Sequence, residues 1–76
     1  MSYPGPRHDL LAVELRKVRE SAGLSQRDIA ARLGRGQSYV CKVETSRQIV
    51  SAEELLDWCR VCGVKASEVV KRIEDL

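Results

Sequence analysis

Few side chains in this sequence could carry covalent chemistry. There is one histidine, His8, and there are three cysteines, Cys41, Cys59 and Cys62. Cys59 and Cys62 form a C-x-x-C, but a structural zinc site needs four ligands and a second pair is missing. A redox C-x-x-C expects a thioredoxin-like strand–helix setting, which the surrounding pattern does not supply. The pair therefore reads as two small apolar residues on a buried helix face. No nucleophile–base pair or metal cluster is legible, so neither an enzyme, a cofactor nor a metal is expected.

The remaining chemistry is recognition by hydrogen bonding and charge. The informative residues are Gln37, Ser38 and Lys42, in a segment expected to be helical from Gln37 to about Glu44. At about 100° per residue, Ser38, Cys41 and Lys42 fall within about 140° of Gln37, and Val40 and Val43 fall opposite. The valine face can pack on a domain. The other face is small, polar and cationic, and can enter a major groove without blocking it. A glutamine amide can pair bidentately with adenine. Ser38 can donate or accept at several base edges, and Lys42 can reach guanine or a phosphate. Tyr39, Arg27, Arg35 and Arg47 flank this face and could hold phosphates, contacts that position without specifying sequence. Gln26 stands in the first turn of its own helix, where free amides favour an anion.

Positioning such a face requires short, sharply joined helices. A first helix is expected from a cap at Asp9 to about Ala22, with Leu11, Leu15, Val18 and Ala22 as one apolar stripe. Gly23 stops it. Ser25 with Asp28 resembles a capping box, with Leu24 and Ile29 as its staple. Ile29, Ala30 and Leu33 form the buried face of that second helix, and Gly34 ends it. Gly34-Arg35-Gly36 is the tight connector to the helix that begins at Gln37. Ser51 with Glu54 is a second capping box, opening a helix to about Cys62 that buries Leu55, Cys59 and Cys62 and at least part of Trp58. A last helix should run from about Ala66 to Leu76. No strand is expected. The pattern predicts an all-α fold of five helices, with helix-turn-helix geometry at the second and third. Residues 1–8, with two prolines and a glycine, read as a flexible arm, and 9–76 as the domain.

Seventy-six residues bury a modest core. The net charge of +2 says less than its distribution. Residues 1–50 hold nine Lys/Arg against five Asp/Glu, and residues 51–76 hold four against six. The basic part is the one that should face an anion. The odd cysteine count, with no signal peptide and no apolar run able to span a bilayer, points to free thiols and a cytoplasmic setting.

The stretch resembles the lambda-repressor-like, Cro/repressor-type (XRE) helix-turn-helix family. The resemblance is carried by Leu15, Arg19, Gly23-Leu24-Ser25-Gln26, Ile29-Ala30, Leu33-Gly34, Gln37-Ser38-Tyr39-Val40, Lys42 and Glu44, and spans roughly Leu11 to Val69. It implies that Gln37 reads a base, that Ser38 and Lys42 add base contacts, and that Gln26 touches a phosphate and braces Gln37. It also implies a structural ion pair between Arg19 and Glu44. Ser46 stands where the family often has glycine and Val50 where proline is common, so a different loop is expected there, bearing on Arg47 and Gln48 as phosphate contacts. Cys41 replaces a usual serine. It reads as a small residue or as a thiol whose oxidation blocks binding.

The resemblance implies a sequence-specific regulator of double-stranded DNA, most simply an autorepressor, of phage-repressor, antitoxin or restriction–modification controller type. A protein-interaction module on the same fold is the alternative. Paired half-sites favour a homodimer, with Val69, Val70, Ile73 and Leu76 of the last helix as its expected surface.

Overall fold

The computed structural model describes residues 5–75 and contains five helices. They are α1 (Pro6–Ser21), α2 (Gln26–Leu33), α3 (Gln37–Glu44), α4 (Ala52–Val61) and α5 (Ala66–Glu74). Among the described residues there is no strand. The all-α expectation holds.

α1 begins earlier than expected. Pro6 occupies its first turn, where a fixed φ suits the helix and a missing N–H costs nothing. His8 and Asp9 donate their amides to Gly5 O at 3.1 and 3.2 Å. Asp9 is thus inside the first turn rather than at the cap. Residues 6–8 of the expected arm are helical, and residues 1–4 lie outside the described residues.

Both capping boxes form. Ser25 Oγ accepts from the Asp28 amide at 3.0 Å, and the Ser25 amide donates to Asp28 Oδ2 at 2.9 Å. Ser51 and Glu54 repeat this at 3.1 and 2.9 Å. Each box satisfies two amides that a helix start leaves without partners.

The core is built from Leu15, Ile29, Val40, Val43, Trp58, Cys59 and Val69, all essentially without solvent exposure. Every helix contributes to it. Trp58, expected to be partly covered, is fully enclosed, and its indole N–H donates to Leu15 O at 3.1 Å. That bond gives the buried polar tip of the ring its partner and ties α4 to α1. Leu55 and Cys62 are half-buried and Ala22 is exposed, so those three take less of the core than expected. Burial pushes the Cys59 and Cys62 thiols up from their ordinary value, away from the thiolate form.

α5 corrects one expectation. Val69 is fully buried in its own chain and has no surface to offer a second copy. Val70, about 100° further round the helix, is exposed, and Ile73 is half-buried. Leu76 lies outside the described residues. α5 is joined to α1 by Arg72 Nε, which donates to the buried Glu14 at 2.7 Å.

Candidate nucleic-acid interface

Gly34 ends α2 in the left-handed conformation, and Gly36 caps α3 in an extended one, so three residues turn the chain from one helix into the next. Val40 and Val43 bury the inner face of α3 against the core. Gln37, Ser38 and Lys42 are exposed on its outer side, and Cys41 is half-exposed beside them. The wheel read from the sequence is therefore the one the fold presents.

Behind that face runs a chain of hydrogen bonds. Arg19 of α1 grips Glu44 with two parallel bonds, from Nε to Oε2 at 2.6 Å and from a terminal nitrogen to Oε1 at 3.1 Å. Its third bond goes to Leu24 O at 2.8 Å. Both side chains are nearly buried, at 10% and 3% exposure, which makes the fork geometry matter. Donation to Glu44 raises the Arg19 pKa further, so the guanidinium stays charged. Glu44 Oε1 also accepts from Gln26 Nε2 at 3.1 Å. Gln26 Oε1 in turn accepts from Gln37 Nε2 at 3.4 Å, and Gln37 Oε1 accepts from Arg27 Nε at 3.2 Å.

The relay fixes which way the Gln37 amide faces. One N–H and one lone pair are committed to Gln26 and Arg27, and one of each is left over on an exposed side chain. That remaining donor–acceptor pair is what adenine recognition requires.

The cations divide into two groups. Lys42 is exposed, with no hydrogen-bond or ion-pair partner among the described residues. Arg47 Nε donates to Thr45 Oγ1 at 3.0 Å, and its terminal nitrogen lies 3.9 Å from Cys41 Sγ, on the rim of the α3 face. Gln48 is half-buried and turns its amide to Ile49 O at 3.4 Å. Arg35 stacks 4.3 Å over the Tyr39 ring and reaches Glu54 at 3.3 Å. Tyr39 donates its hydroxyl to the same Glu54 oxygen at 2.9 Å. The Tyr39 proton is thus engaged within the protein. To serve a phosphate it would have to leave Glu54.

Glu54 is the residue that sequence reasoning missed in this role. Its capping box occupies one carboxylate oxygen, and the other anchors Tyr39 and Arg35 across fifteen and nineteen residues. Its pKa is lowered, first by the Ser51 amide. The Tyr39 phenol is pushed up to about 12 from 10.0, first by burial and then by its bond to Glu54. A phenol whose folded value is raised contributes stability that is full below its ordinary value and is lost as pH climbs toward the folded one. Stability should therefore fall between about pH 10 and 12. An ultraviolet titration should show a phenolate step at about 12 that Tyr39→Phe removes.

Residues 10–71 match a family model described as a helix-turn-helix domain. The fold resembles that of an XRE-family like protein from Pseudomonas syringae pv. tomato str. DC3000, with TM-score 0.83 and 35% identity over 91% of this chain and 84% of that one. The restriction-modification controller protein C.AhdI from Aeromonas hydrophila superposes with TM-score 0.73 and 30% identity, covering 79% of this chain and 91% of its own. The clp gene regulator ClgR from Corynebacterium glutamicum shares the fold at TM-score 0.84 and 24% identity, over 93% and 92% of the two chains. A 60-residue stretch is 33% identical to a glutamine–fructose-6-phosphate aminotransferase of Methanocaldococcus jannaschii. It covers 78% of this chain, which spans only 6% of that enzyme's length.

Proposed function

The chain belongs to the XRE, Cro/repressor-type helix-turn-helix family of DNA-binding transcriptional regulators, which are not enzymes, and on that premise we propose that it is a sequence-reading repressor acting on a paired operator. No described helix is long and apolar enough to cross a membrane.

The observation that carries this reading is the exposed Gln37 amide, held by Gln26 and Arg27 with one donor and one acceptor to spare, beside exposed Ser38 and Lys42. Gln37 reads one base, Ser38 and Lys42 read its neighbours, and Arg27, Arg35 and Arg47 hold phosphates. Gln26 touches a phosphate from the start of α2 while bracing Gln37. Tyr39 braces α3 through Glu54, and Gln48 is left with a minor part. The unit that does this is the helical domain from α1 onward, beginning at Pro6.

A single eight-residue reading helix makes a small interface, which favours two copies on two half-sites about one helical turn apart. Val70 and Ile73, with Leu76, are the surface we assign to that pairing. The restriction-modification controller protein among the similar structures supports a regulatory role.

Fluorescence anisotropy against the duplex just upstream of the protein's own gene tests the reading, with scrambled DNA beside it. The upstream duplex should bind more tightly and take up two chains. Gln37→Ala and Lys42→Ala should each cost roughly 1–3 kcal/mol of affinity. Equal binding to both duplexes, unmoved by either substitution, would leave only a basic surface and overturn it.

A further inference from the structure

Four of the five helices end in the same way. After α1, Gly23 donates to Glu20 O at 3.0 Å and Leu24 to Arg19 O at 3.2 Å. After α2, Gly34 and Arg35 donate to Ala31 O and Ala30 O, and after α4, Gly63 and Val64 donate to Arg60 O and Cys59 O. α3 closes with the same two bonds, from Ser46 to Val43 O at 3.1 Å and from Arg47 to Lys42 O at 2.8 Å. The motif demands a left-handed residue after the last turn. Three ends supply glycine, with φ of 73°, 67° and 74°. The end of α3 supplies Ser46 at φ 60°, the one non-glycine residue with positive φ among those described. A side chain there is strained.

His8 meets that strained residue. Its Nδ1 lies 2.9 Å from Ser46 Oγ, and the Val50 amide donates to its Nε2 at 3.3 Å. A backbone N–H can only donate, so Nε2 carries a lone pair. The neutral ring then holds its proton on Nδ1 and donates it to Ser46. One imidazole from the first turn of α1 therefore grips both ends of segment 46–50. Arg47 lies inside the segment, its orientation already limited by Thr45.

We propose that His8 is a positioning residue for DNA binding: it bridges Ser46 and Val50, holds Ser46 in the left-handed conformation, and so sets Arg47 against a phosphate. The proposal rests on the DNA-binding reading of α3 and its flanking loop. Glycine in place of Ser46 would hold the same conformation unaided. The clasp is needed because serine is there.

The test is a cycle of His8→Ala, Ser46→Gly and the double variant. Two readouts are used: amide hydrogen exchange at Arg47 and Val50 in the free protein, and anisotropy with the upstream duplex across a salt series. His8→Ala should speed exchange at both amides, weaken binding about three- to tenfold, and flatten the salt slope by about one phosphate's worth. Adding Ser46→Gly should restore protection at Arg47 and most of the affinity. Ser46→Gly alone should change affinity by less than it restores in the His8→Ala background. Val50 should stay unprotected in the double variant, since its acceptor is gone. Unchanged exchange at Arg47 in His8→Ala would overturn the proposal. So would a loss of affinity that Ser46→Gly does not reverse, which would place the role of His8 elsewhere. A wild-type protein that binds no duplex would instead sink the DNA reading, while the exchange rates would still decide the clasp.

Discussion

Glu44→Ala should destabilise the domain by about 3–5 kcal/mol, because it leaves the Arg19 guanidinium buried without its counter-charge. Arg19 would keep only Leu24 O. For a chain of this length total stability is on the order of 4–11 kcal/mol, so much of the folded population is at stake. Urea unfolding followed by the emission of the single tryptophan would measure it. Removing both partners should cost far less. An Arg19→Met/Glu44→Leu variant fills the same space without a stranded charge, and such replacements are often neutral or better. Its DNA affinity should still fall, because Gln26 would lose the carboxylate that orients it. A double variant that folds and binds like the wild type would show that Gln26 and Gln37 align without Glu44.

Trp58→Ala carries the other large effect. The ring is fully enclosed and bonded to Leu15 O, and truncation of such a residue costs about 3–5 kcal/mol through lost burial and the cavity left behind. In a domain this small, that shifts the melting midpoint by at least about 12 °C. Circular dichroism would follow the melt, since the variant has no tryptophan left to observe. Trp58→Phe should cost less, about 1–3 kcal/mol, because most of the apolar surface stays and mainly the indole bond is lost. A Trp58→Ala midpoint within a few degrees of wild type would mean that α1 and α4 are held by other contacts.

Local signals in the sequence were reliable where the structure they encode is local. Ser25 with Asp28 and Ser51 with Glu54 mark helix starts because each box closes within four residues. Val40 and Val43 mark the inner face of α3 because helical periodicity sorts neighbours by angle. The Arg19–Glu44 pair spans twenty-five residues and was legible only through the family resemblance. Contacts outside that pattern left no trace. Nothing near Tyr39 announces Glu54, and nothing near His8 announces Ser46, thirty-eight residues away. Ser46 itself suggested a different loop after α3. The backbone keeps the left-handed turn regardless, and the serine brings a partner rather than a new path. Val69 and Val70 could not be separated by hydrophobicity, and only packing decides which one enters the core.

The length of α3 sets a limit on how much a single copy can say. Eight residues rise about 12 Å along the helix, which matches about three to four base pairs of duplex at 3.4 Å each. Four fully read pairs carry about eight bits and name about one site in 256. A genome offering about 10⁶ competing sites contains that word thousands of times. Two copies in fixed register carry about sixteen bits and reduce those occurrences to about fifteen. The final narrowing to one address falls to the sequence-dependent stiffness of the DNA between the half-sites. A reader with so short a vocabulary is specific only through grammar.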